Sequence, residues 1–190
     1  NMYVFMSVVW SFGANIIESS RAMFSNYVRM LFGGLVTHLP QDKTVYAYCI
    51  NEIDYSFILW EDIVQSFTYD PEIAFHSILV PTADTTRVTY LLKYLLNNDK
   101  NVLFMGPTGV GKTVIIQEFL NLYGGSEEEQ DKPFSIIPII FSAQTQAKHI
   151  QDTLENKLIQ KRKTLLGAPI GKKVLIFVDD INMPRPEKFG

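Results

Sequence analysis

Apolar side chains recur at three- and four-residue intervals along residues 2–33. Val4, Val8, Phe12 and Ile16, then Phe24, Val28, Leu31 and Phe32, share one face of a helix. Gly33-Gly34 ends that pattern, and residues 37–44 have the composition of a loop. Residues 45–50 read as a short strand, Trp60 lies in an aromatic stretch of irregular spacing, and residues 69–72 read as a turn. From Ile78 the pattern becomes regular. Residues 79–82 are extended, because a residue before proline avoids the helical region. Asp84 or Thr85 caps a helix to about Leu96, with Val88, Leu91, Leu92 and Leu95 at helical spacing. Residues 97–100 form a turn, and residues 102–105 are wholly apolar, as in a strand covered on both faces. A glycine-rich loop follows, then a helix from Lys112 to about Leu122 and a polar, acidic loop over 124–132. A second buried strand is predicted over 135–141, and a long polar helix over 143–164 with Lys161, Arg162 and Lys163 in its last turns. A connection at 167–171 leads to a third buried strand, 174–178, which ends in Asp179-Asp180. Strands alternating with helices predict an α/β fold with a parallel sheet behind a helical lead-in.

A chain of 190 residues has room for one such domain with flanking pieces, and its start at Asn1 suggests a piece of something longer. The net charge of −3 lacks the basic footprint of a nucleic-acid binder. Ser7, Ser11, Gly13 and Asn15 interrupt the opening apolar run before it reaches the length of a membrane span. It also lacks the basic start and cleavage site of a signal peptide. The single cysteine, Cys49, precludes an internal disulfide and reads as packing.

Candidate chemistry concentrates in Gly106-Pro107-Thr108-Gly109-Val110-Gly111-Lys112-Thr113, which satisfies the phosphate-loop pattern between a strand and a helix. The glycines let the backbone approach phosphates closely, and the helix start offers free N–H groups to an anion. Lys112 can reach the β- and γ-phosphates as a compact charge, and the Thr113 hydroxyl can ligate Mg²⁺. Asp179 ends an apolar strand at the sheet edge where ligands bind, so it is the second candidate for holding Mg²⁺. Asp180 stands where a water-polarising Glu is often found, one methylene short. Ser142, Gln144 and Thr145 either reach the γ-phosphate edge or cap the next helix, capping being preferred. His38, His76 and His149 lack metal-ligand spacing and read as structural or surface residues. The basic residues at 161–163 and 172–173 either meet an acidic partner or form a solvated helix end, the latter being preferred.

The phosphate loop, Val80-Pro81-Thr82-Ala83-Asp84-Thr85-Thr86-Arg87 and Asp179-Asp180-Ile181-Asn182-Met183-Pro184 together resemble the third AAA+ module of axonemal dynein heavy chains. Phe141-Ser142-Ala143-Gln144-Thr145, Gly171-Lys172-Lys173, Trp10-Ser11-Phe12-Gly13 and Thr44-Val45-Tyr46 extend the resemblance over nearly the whole chain. It implies a P-loop NTPase fold of AAA+ type, in which residues 1–36 end the preceding module and bridge into a large subdomain over 37–190. It also implies that Val80, Pro81 and Thr82 line the adenine side of a pocket for ATP or ADP with Mg²⁺. The implied setting is a microtubule motor of the ciliary or flagellar axoneme, with the rest of the ring and other dynein chains as partners. In such a motor the third module's nucleotide gates the force-producing hydrolysis elsewhere. Alternatives are a nucleotide held as a structural ligand, or an unrelated AAA+ remodelling ATPase. AAA+ strand order is five-one-four-three-two, so this sequence would carry the first three of five core strands. Without the fourth and fifth strands, the lid and a neighbour's arginine, the polypeptide alone is expected to be unstable and to hydrolyse ATP negligibly.

Overall fold

The computed structural model describes residues 1–36, 38–69, 71, 78–125 and 132–186. His76, part of the predicted 69–72 turn and most of the acidic loop lie outside the described residues. Two compact units are formed, Asn1–Lys100 and Asn101–Gly190.

In the first unit, helices α1 (Met2–Phe12) and α2 (Glu18–Phe32) replace the single helix expected over 2–33. The buried stripe is also displaced. Phe5 and Val9 are buried on α1, whereas Val4 and Phe12 are exposed; Val28 and Phe32 are buried on α2, whereas Leu31 is exposed. The break at Gly13 explains both differences, because each helix faces the core separately. A Cβ at Gly13 would lie 2.4 Å from the Val9 carbonyl oxygen, 2.5 Å from the Tyr46 hydroxyl and 2.6 Å from the Phe24 ring. The Tyr46 hydroxyl donates to the Gly13 carbonyl at 2.9 Å. Only a residue without a side chain lets that tyrosine seat. Gly13→Ala is therefore expected to cost about 1–3 kcal/mol through overpacking. Amide hydrogen exchange across α1 and α2 should accelerate about 5- to 150-fold; unchanged exchange would refute this packing.

The core of this unit joins Phe5, Val9, Val28, Phe32, Val36, Val45 and Tyr46. Phe5 meets Phe32 and Phe57 edge to face, at centroid distances of 5.5 and 5.7 Å. Two polar groups enter it paired: the buried Ser25 hydroxyl accepts from the Val45 N–H at 3.0 Å, and the Trp60 indole donates to the Tyr46 carbonyl at 3.1 Å. The buried indole N–H of Trp10, which packs against the same core, has no hydrogen-bond partner among the described residues. Where one strand was expected over 45–50, Val45–Ala47 forms a 3-10 turn and only β1 (Tyr48–Ile50) is extended, pairing antiparallel with β2 (Phe57–Leu59). Cys49 is buried there, and desolvation pushes its thiol pKa up to about 11, the state of a packing residue rather than a nucleophile. Helix α3 (Ala83–Asn97) is capped by Thr82 rather than by Asp84 or Thr85. The Thr82 hydroxyl accepts from the Thr85 N–H at 3.2 Å, and the Thr85 hydroxyl receives the Thr82 N–H at 2.8 Å, a reciprocal box that satisfies two otherwise orphaned donors.

In the second unit, α4 (Lys112–Tyr123) precedes β3 (Phe134–Ile140), α5 (Ala147–Lys157), β4 (Ile159–Arg162), β5 (Leu165–Gly167) and β6 (Lys173–Asp179). Strands β3 and β6 pair in parallel from Phe134 opposite Lys173 to Ile140 opposite Asp179. Parallel neighbours require a long crossover, supplied here by α5 and the β4–β5 hairpin. Three predictions change. Residues 102–105 form no strand, and Val102, Leu103 and Met105 are exposed, so the parallel sheet has two strands where three were expected. In the order five-one-four-three-two, the neighbours of a first strand are the fifth and fourth, whereas the second and third pair directly. An apolar run with neither neighbour has nothing to bond. Burial of the two paired strands is incomplete as well: Ile140 is 74% and Ile176 47% exposed. Finally, the helix predicted over 143–164 stops at Lys157. Ile159 and Leu165-Leu166-Gly167 instead supply an antiparallel hairpin with Lys163-Thr164 at its turn.

Candidate nucleotide site

The candidate site is built on the start of α4 and the end of β6. Gly109 and Gly111 have φ of 83° and 82°, left-handed values that other residues reach only with strain. No atom would obstruct a Cβ at either position, so backbone conformation, not space, calls for glycine. Gly111 is the N-cap of α4 and offers no capping side chain, which leaves the first N–H groups of the helix available to an anion. The Lys112 ammonium donates to the carbonyl oxygens of Gly106 at 3.0 Å and Pro107 at 2.6 Å, and so sits across the mouth of the loop. A phosphate oxygen in the loop would compete for the same donors.

Thr113, the next residue, points at the other half of the site. Its hydroxyl donates to Asp179 Oδ1 at 3.3 Å, across 66 positions of sequence. The same carboxylate oxygen accepts the Asp180 N–H at 3.0 Å. A hydroxyl and a carboxylate are hard oxygen donors, the chemistry that suits Mg²⁺. Asp180 is exposed, and its backbone has φ of 54°. Aspartate tolerates this left-handed conformation better than longer residues do. The chain then turns, with the Met183 N–H donating to the Asp180 carbonyl at 2.9 Å.

Thr108 and Val110 complete the loop in the second unit, whereas Val80, Pro81 and Thr82 belong to the first. Val80 is exposed, and Thr82 is engaged in capping α3. Ser142 and Thr145 do not cap α5, whose N-cap is Gln146 without a side-chain bond. They close on each other instead: the Ser142 N–H donates to the Thr145 hydroxyl at 2.8 Å, and the Thr145 N–H to the Ser142 carbonyl at 3.1 Å. This turn, with Gln144, His149, Ile150 and Thr153, borders a cleft of about 370 Å³ beside the end of β3. His149 is exposed, in keeping with its reading as a structural or surface residue. The Thr153 hydroxyl donates to the His149 carbonyl at 2.7 Å.

A glycine loop opening a helix, a lysine across its mouth and a hydroxyl joined to a strand-end carboxylate define a P-loop nucleotide-binding domain. The chain belongs to the dynein motor-region family: the family described as P-loop containing dynein motor region matches residues 67–190. The dynein heavy chain AAA lid domain matches residues 1–62. Similar proteins include dynein axonemal heavy chain 6 of Homo sapiens, 37% identical over 183 residues, covering 96% of this chain and 4% of that protein. Dynein axonemal heavy chain 1 of Mus musculus is 35% identical over 204 residues, covering 97% of this chain and 5% of that protein. Dynein axonemal heavy chain 12 of Rattus norvegicus is 34% identical over 204 residues, covering 97% and 6%. The chain thus spans about one-twentieth of the length of these relatives.

Proposed function

We propose that this chain is the nucleotide-binding part of the third AAA+ module in an axonemal dynein heavy chain, where ATP or ADP regulates the motor's force-producing hydrolysis. The supporting observation is the Thr113–Asp179 hydrogen bond, which links the phosphate loop to the acidic end of the parallel strand. In this reading residues 1–36 are the lead-in from the preceding module, and 37–190 begin the large subdomain. Gly106 to Gly111 wrap the phosphates with backbone N–H groups, and Lys112 meets the β- and γ-phosphates. Thr113 and Asp179 hold Mg²⁺, which when bound neutralises phosphate charge. Asp180 orients the attacking water, and Val80, Pro81 and Thr82 flank the adenine. The partners are the rest of the heavy-chain ring, microtubules through the whole motor, and other dynein chains of a ciliary or flagellar axoneme.

A second reading, nucleotide held as a structural ligand with little turnover, draws support from Asp180. Its short side chain on a left-handed backbone is poorly suited to reach a water at the γ-phosphate. Ligand identity in the native assembly separates these readings from a lost site. Density for ATP with Mg²⁺ between Thr113 and Asp179 is the expected result for a slowly cycling site. ADP alone, unchanged through the motor's cycle, supports the structural reading, and a well-resolved pocket without nucleotide overturns both.

A further inference from the structure

We propose that the β4–β5 hairpin is a docking arm for an acidic segment of polypeptide. Between Glu155 and Asp179 the sequence has six lysines and arginines and no aspartate or glutamate, in a chain whose net charge is −3. Lys161, Arg162 and Lys163 fall on the end of β4 and the turn, all exposed, and none forms an ion pair among the described residues. A solvated helix end would explain such a run, but these residues are not on a helix. The hairpin forms a sheet of its own two strands, and no other element among the described residues packs on it extensively. Leu165 and Leu166 are also exposed, at 52% and 40%. A two-stranded hairpin is marginal in water without a covering surface. Bare apolar positions beside concentrated positive charge therefore fit a partner that supplies carboxylates around a small apolar contact.

The test uses the whole heavy chain in its native assembly and a carbodiimide, which couples lysine amines directly to touching carboxylates. The expected products join Lys161 or Lys163 to Asp or Glu in a segment outside residues 101–190. Their yield should fall several-fold in about 1 M salt, where charges are screened beyond about 3 Å. Arg162→Glu should lower the yield in the same way and Arg162→Lys should restore it, with nucleotide binding to the phosphate loop unchanged in both variants. Absence of such products, products confined to residues 101–190, or yields indifferent to salt and to Arg162→Glu would each overturn the proposal. Protection of the two lysines only by added phosphatidylserine vesicles or polyuridylate would overturn it too, in favour of a lipid or nucleic-acid surface. The salt experiment needs no variant, so a misfolded mutant does not rescue the idea.

Discussion

Lys112→Ala is expected to weaken nucleotide binding by about 1.5–3 kcal/mol, roughly 10- to 150-fold, the worth of a charge-assisted phosphate contact. The ammonium already bonds two loop carbonyls, Gly106 and Pro107, so its removal deletes a positive charge and a tie across the loop together. Lys112→Arg should not restore full affinity, because a planar fork cannot replace a compact charge surrounded by carbonyls. The check is the nucleotide bound per heavy chain, titrated near the dissociation constant of the wild-type site. A full complement in Lys112→Ala would remove the phosphate loop from the candidate site.

Asp180→Glu should raise hydrolysis at this site by up to about 10²-fold if the site turns over, since an ångström of misplacement can cost that much. The backbone qualifies the expectation. At φ of 54° a glutamate is strained, by about 1–2 kcal/mol, where aspartate is tolerated. The gain should therefore come with a small loss of local stability, and Asp180→Asn separates the effects because asparagine keeps the conformation and removes the charge. Single-turnover hydrolysis assigned to this site decides the matter. A gain in Asp180→Glu with a loss in Asp180→Asn identifies the water-orienting group. If neither variant changes the rate, the nucleotide is a held ligand.

The sequence made the phosphate loop, α4, β3 and β6 legible because their signals are local: glycines where φ is positive, and apolar runs bounded by turns. Long-range requirements defeated the same reasoning elsewhere. Residues 102–105 are as apolar as β6, but strand formation needs a partner that composition does not reveal. Gly13 splits the lead-in helix because of Tyr46, 33 positions away. Residues 158–164 carry Lys161, Arg162 and Lys163 where the last turns of a helix favour them, yet they fold into a hairpin whose pairing joins Ile159 to Gly167. Thr113 and Asp179 lie on the elements expected for them, Thr82 takes the capping role expected of Asp84 or Thr85, and Ser142 and Thr145 form a closed turn instead of a helix cap.

The span between Thr113 and Asp179 also sets a timetable for the growing chain. At about 5–20 residues per second, a ribosome adds Asp179 roughly 3–13 s after Thr113. Throughout that interval the phosphate loop has its glycines and its lysine but no strand-end carboxylate. Closing so long a loop is a late, entropically costly event. A ligand held by both Thr113 and Asp179 would therefore reward a chain that has already brought these distant parts together.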